Sequence, residues 1–168
     1  GEKNASTLSA TITLWKGYEG GDLRAMTHPA SGSPERRTTI PRILEDLTQY
    51  PELRVAVQRS VALRPSGQGR SLIPKSEAAM IWHAIVRSGS SMERADTFLG
   101  SVLSGYDLAE GSPIVALRRR LIDQTGPGLK MDKRERLALV LKTWMLWSTG
   151  KTRKVIRWEA DEGFPFLS

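Results

Sequence analysis

Apolar residues recur at three- and four-residue intervals along nearly the whole chain, a period that suits helices and little else. The clearest instance is Leu137, Val140, Leu141, Trp144 and Trp147, which fall on one side of a long helix. Asp132 with Glu135 supplies its N-terminal cap and Gly150 its end. A first helix is expected through Ala5, Leu8, Ile12 and Trp15, ending near Gly17. The chain from 19 to 39 is polar and rich in Gly, Pro and Ser, and reads as a long connector carrying Arg36 and Arg37. Ile40-Pro41 opens a short helix with Ile43, Leu44 and Leu47 inward, which Tyr50-Pro51 interrupts because proline disfavours a helical residue before it.

The next helix turns Leu53, Val57 and Val61 to one side. A loop from Arg64 to Arg70 precedes Pro74, which sits at a helix start where its missing N–H costs nothing. Ala78, Ile81, Trp82 and Ile85 form the following apolar stripe. Ser90 and Glu93 have the spacing of a capping box, with Met92, Ala95, Leu99 and Val102 inward and Gly105 past the helix end. Ser112-Pro113 starts a helix whose Ile114, Leu117 and Leu121 face the core. No fixed-period repeat and no low-complexity tract interrupts this order. The expected fold is all-α: a single domain over residues 1–168, an irregular bundle of about six or seven helices with a short extended C-terminal segment. Trp82, Leu99, Leu117, Leu141 and Trp144 are its expected core.

The chain of 168 residues has 39% hydrophobic content, ordinary for a globular domain. Cysteine is absent, which excludes disulfides, thiolate metal sites and a cysteine nucleophile. No apolar run reaches bilayer-spanning length and no secretory signal pattern is present, so no membrane partner and a cytoplasmic setting are expected. The opening Gly1-Glu2-Lys3 reads as that of a processed chain or an excised part of a larger protein. The formal charge of +7 points to an anionic partner, nucleic acid first.

Gly150-Lys151-Thr152 has the ending of a phosphate-binding P-loop, but the rest of that device is missing. The earlier glycine position holds Met145, inside a helix, and the order is helix, glycine cap, extended segment. Lys151 and Thr152 therefore stand at a helix C-terminus, where carbonyl groups repel anions, and no ATP or GTP site is expected. His28 and His83 are isolated, with no carboxylate at metal-ligand spacing. Glu45-Asp46 and Asp161-Glu162 are adjacent pairs, not carboxylates held at a working separation, and no serine has a nucleophile-elbow setting. A non-enzymatic domain without cofactor or metal is expected.

Two basic clusters remain. Lys151, Arg153, Lys154 and Arg157 alternate with Val155 and Ile156 between Trp147 and Trp158, within a basic extended tail at 151–168. In an extended chain Lys151, Arg153, Val155 and Arg157 point one way, and Thr152, Lys154, Ile156 and Trp158 the other. One face could follow phosphates while Ile156 and Trp158 anchor the tail; the plainer reading is a solvated tail held by the same two residues. Arg118, Arg119 and Arg120 form the second cluster and fan around their helix, with Arg118 and Arg119 expected to be the most exposed. Cations in a last helical turn also oppose the helix dipole, a purely structural role.

Several phrases taken in order carry a family resemblance: Gly1–Ala5, Thr13-Leu14-Trp15, Leu108–Ile114 leading into Leu117-Arg118-Arg119, Leu139–Trp144, and Val155–Trp158 followed by Phe164-Pro165. Together they resemble the helical C-terminal part of ParB/sulfiredoxin-fold proteins of actinobacteria and their phages. That resemblance implies a DNA-associated module of a larger ParB-like protein. Members of the family carry an N-terminal domain with a G-x-H-R-type motif, which this chain lacks, so no catalytic or nucleotide-binding residue is carried over. The expected function is DNA binding through Arg118, Arg119, Lys151, Arg153, Lys154 and Arg157. The alternative is a protein-interaction or oligomerisation module built on the aromatic helix through Trp144 and Trp147.

Overall fold

The computed structural model describes residues 2–22, 45, 48–66, 71–124 and 130–168. Among these the fold is all-α, with no strand. Six helices follow in order: α1 (Glu2–Glu19), α2 (Glu52–Ala62), α3 (Lys75–Arg87), α4 (Met92–Ser104), α5 (Pro113–Ile122) and α6 (Lys133–Ser148). A 3-10 turn spans Ala160–Glu162. Most of the expected connector, with Arg36 and Arg37, and nearly all of the short helix expected from Ile40 lie outside the described residues.

The architecture is organised around α3. Its nine consecutive residues from Glu77 to Ile85 are all buried, and α1, α2, α4 and α6 pack against it. The sequence pattern placed only a stripe of this helix inward. Ala78, Ala79 and Ala84 explain the difference, because small side chains let neighbours close in on every face. All five expected core residues are buried. Phe98 of α4 meets Trp144 of α6 edge-on, with ring centroids 5.3 Å apart.

Buried polar groups on α3 are mostly answered by partners from elsewhere in the chain. Glu77 takes a two-pronged ion pair from Arg136 of α6, with Nε–Oε1 at 2.6 Å and Nη2–Oε2 at 2.7 Å. Trp82 donates its indole N–H to Asp96 of α4 at 2.8 Å, and the same carboxylate pairs with Arg59 of α2 at 2.9 Å. His83 is the exception. Its two ring nitrogens have no hydrogen-bond partner, the Trp15 ring stands edge-on 4.1 Å away, and the nearest carboxylate, Glu52, is at 4.0 Å.

Burial pushes the His83 imidazole down to about 4, with Arg87 adding to the effect and Glu52 opposing it. As pH falls through the ordinary histidine value near 6.5, the unfolded chain gains a proton that the folded chain refuses until about 4. Stability contributed by neutral His83 is therefore complete above pH 6.5 and lost progressively toward pH 4, amounting to about 3 kcal/mol. Urea midpoints measured from pH 7 to pH 5 should fall in the parent chain and fall less in His83→Leu. Parallel curves would show that His83 does not titrate in this way.

Helix ends follow local chemistry, with two departures from expectation. Ser112 caps α5 with Pro113 in its first turn, and Asp132 accepts the Glu135 N–H at 2.8 Å to start α6. At α4 the cap is Ser91 rather than Ser90; it accepts from Arg94, so the Ser90–Glu93 box does not form. Met92 then becomes the first helical residue. Its side chain leans back off the helix end, and it is exposed rather than buried. α1 runs two residues past Gly17 and closes at Gly21, where φ is +70° and the Asp22 N–H reaches back to the Gly17 carbonyl. Its seating deepens along the helix: Ala5 is exposed, Leu8 is partly buried against the core, and Ile12, Leu14, Trp15 and Tyr18 are buried.

Candidate nucleic-acid interface

The C-terminal segment from 151 onward, apart from the 3-10 turn at Ala160–Glu162, runs without helix and crosses the bundle without pairing into a sheet. Its path is set at both ends. After α6, Gly150 adopts φ +73°, and the Lys151 N–H bonds the Leu146 carbonyl, which closes the helix and turns the chain. The Arg153 N–H donates to the Gly111 carbonyl at 3.0 Å, tying the segment to the start of α5. Further on, Lys142 of α6 donates to the Arg157 carbonyl at 2.6 Å and to Glu162 at 2.9 Å. That lysine holds the exposed Glu162 carboxyl below its usual range.

Side chains alternate between these anchors. Ile156 and Trp158 are buried, whereas Val155 and Arg157 are exposed, as the extended pattern requires. Trp158 donates its indole N–H to the Gly163 carbonyl at 2.9 Å, and the Arg134 guanidinium lies over its ring at 5.6 Å. Phe164 and Phe166 then pack on Tyr18 of α1, and the Leu167 N–H reaches the Tyr18 hydroxyl at 2.8 Å. Burial raises the Tyr18 hydroxyl above its ordinary value, so it stays protonated.

Lys154 and Arg157 come together with Arg119 of α5 along one groove of about 420 Å³, between α5 and the tail. Arg119 points outward because Ile114, Leu117 and Leu121 hold the buried side of its helix. Arg120 also lines this groove and pairs with Glu135 at 3.5 Å. The groove is not uniformly basic: Asp123, Glu135 and Glu159 stand in its wall. Arg153 lines a second groove of about 320 Å³, bounded by Lys142 and Leu146 of α6, which Arg157 shares. Lys151 is exposed at the turn after α6 and lines neither groove.

Arg118 departs from expectation. It is partly buried, and its guanidinium donates to the Val102 carbonyl at the end of α4. That carbonyl is one of the last four of its helix and has no partner within it, so the arginine completes the C-terminus of α4. Gly105, at φ +75°, is what lets it through: a Cβ there would stand 2.6 Å from the Arg118 Nε. Burial pulls this guanidinium below its usual value, though it stays charged. Sequence reasoning also passed over Arg120 as a groove residue. Its signal was the face shared by Ala116, Arg120 and Asp123, where a small residue leaves room for a groove floor.

Met145 lies within α6, and Lys151 follows the helix C-terminus, so the Gly150-Lys151-Thr152 stretch lacks the loop-to-helix geometry of a P-loop. Among the described residues, no group of three or more His, Asp or Glu side chains is placed to hold a metal ion, and no helix is long and apolar enough to cross a membrane. No family model, no curated protein and no solved structure matches the chain.

Proposed function

We propose that this domain binds nucleic acid through its phosphate backbone, without catalysis, and that Arg119, Lys154 and Arg157 form the centre of the contact. The observation that carries this reading is their convergence: an arginine of α5 and two cations of the tail, distant in sequence, line one groove. Arg153 and Lys151 extend the charge along the tail, and Arg118 contributes only indirectly, by fixing the end of α4. Contacts of this kind supply affinity and register but no base-specific readout. In keeping with the phrases at Leu108–Ile114 and Val155–Trp158, we take the domain to be the helical module of a ParB-like protein, acting in the cytoplasm beside DNA.

The test is a mobility-shift or filter-binding titration across salt concentrations. Replacing Arg119, Lys154 and Arg157 together by glutamine should weaken binding to all sequences alike. The slope of log affinity against log salt should flatten by about 0.9 for each duplex phosphate contact removed. No measurable binding by the parent chain at low salt would overturn the reading.

A protein-interaction role has one specific observation behind it. Tyr106, Ile122 and Val155 are each at least 60% exposed, and Ile122 stands beside Leu108 and Val115 in a shallow cleft next to Arg119. On that reading the glutamine variant would keep its partner and Ile122→Asp would lose it.

A further inference from the structure

The tail is the shared wall of two cation-lined grooves, one bounded by α5 and the other by Lys142 and Leu146 of α6, and so stands between them as a ridge. Val155, Ile156 and Arg157 belong to both grooves at once, so they form the crest that separates them. Lys154 with Arg119 serves one groove and Arg153 the other. Ile156 is buried and roots the crest in the core, while Val155 is 60% exposed at its top. The Arg153 N–H bond to Gly111 and the Lys142 bond to the Arg157 carbonyl fix both ends of the crest, so the ridge is preformed.

We infer that the ridge is built for double-stranded nucleic acid, entering one groove of a duplex so that the two flanking phosphate backbones lie in the two cation-lined grooves of the protein. This rests on the nucleic-acid reading above and names its substrate class. A single strand carries one line of phosphates and could occupy only one of the two grooves. A duplex presents two such lines with an indentation between them, about 6 Å wide on one side and about 12 Å on the other. An uncharged β-branched side chain at the crest suits that indentation, where apolar protein groups meet base edges or sugars.

The carboxylates are placed consistently with two lateral phosphate tracks. Glu135 is paired with Arg120, and Glu162 with Lys142, so each is already neutralised by a neighbour. Asp123 and Glu159 remain in the wall of the first groove. They set a limit on how deep a phosphate can sit there, and so favour contact at the rim, where the exposed Arg119 and Lys154 stand.

The experiment compares a 20-base-pair duplex with one of its own single strands, using the parent chain and the single variants Arg153→Gln, Lys154→Gln and Val155→Asp. All three positions are exposed, so thermal midpoints should stay near that of the parent. The parent should prefer duplex. Arg153→Gln and Lys154→Gln, on opposite sides of the crest, should each reduce duplex affinity. Each should also shrink the affinity lost between 50 and 200 mM salt by about 3.5-fold, the effect of one phosphate contact. Val155→Asp should weaken duplex more than single strand, by placing a carboxylate between two phosphate lines. Equal or tighter binding of the single strand would overturn the duplex inference while leaving the nucleic-acid reading intact. So would sensitivity to one side of the crest alone. Absence of binding to either probe would remove both.

Discussion

Arg136→Ala should destabilise the domain by about 3–5 kcal/mol, a large part of the 5–15 kcal/mol that holds most domains folded. The substitution leaves Glu77 buried on α3 with its charge and without the guanidinium that meets both its oxygens. The cost lies in that stranded carboxylate more than in the lost attraction, because removing a charge from water is expensive unless a partner replaces the solvent. The double variant Glu77→Leu/Arg136→Met is the informative control. It removes both charges, and its urea midpoint should recover most of the loss. A single Arg136→Ala variant within 1 kcal/mol of the parent would mean that water reaches Glu77.

Trp82→Ala should cost about 3–5 kcal/mol, the range for deleting a large aromatic side chain from a packed core. Trp82 is 1% exposed and lies on the helix that every neighbouring layer touches, so the surroundings have little freedom to collapse into the gap. The indole also donates to Asp96, but Arg59 keeps that carboxylate paired after the change. Trp82→Phe isolates the difference. It retains most of the volume and loses only the N–H bond, so it should cost much less than the alanine variant. Equal losses for both would assign the effect to the hydrogen bond instead of the packing.

Much of the fold was legible because helices write their faces into the sequence. Leu53, Leu99, Leu117 and Leu141 sit where the three- and four-residue period places them, and Ser112 and Asp132 cap the helices they precede. The Val155–Trp158 alternation was legible too, since an extended chain has its own period. What escaped depended on contacts between segments. Nothing near Glu77 in the sequence announces Arg136, and the edge-on packing of Trp15 against His83 follows from α1 closing over α3.

The candidate interface divides in the same way. That Arg119 and Arg157 face outward could be read from helix and strand periods, whereas Lys154 falls on the side of Ile156 and Trp158 in that period and is nonetheless exposed. That the three share a groove could not be read, because the turn after Gly150 and the Gly111 anchor set the tail's course. Arg118 was misjudged for a related reason. Its helix face leaves it exposed, but the left-handed glycine at the end of α4 opens a path to an unpaired carbonyl.

The all-round burial of α3 bears on how the molecule comes apart. A bundle whose helices each touch one or two neighbours can fray piecemeal, shedding an outer helix while the remainder persists. Here α1, α2, α4 and α6 share a single axle, and releasing any of them bares part of it to water. The amide protons of Met80 to Ala84 can therefore trade with solvent only when the assembly opens as a whole. Their deuterium uptake becomes a clock for global unfolding, while the exposed Ala5 and Ser6 of α1 keep a faster, local time.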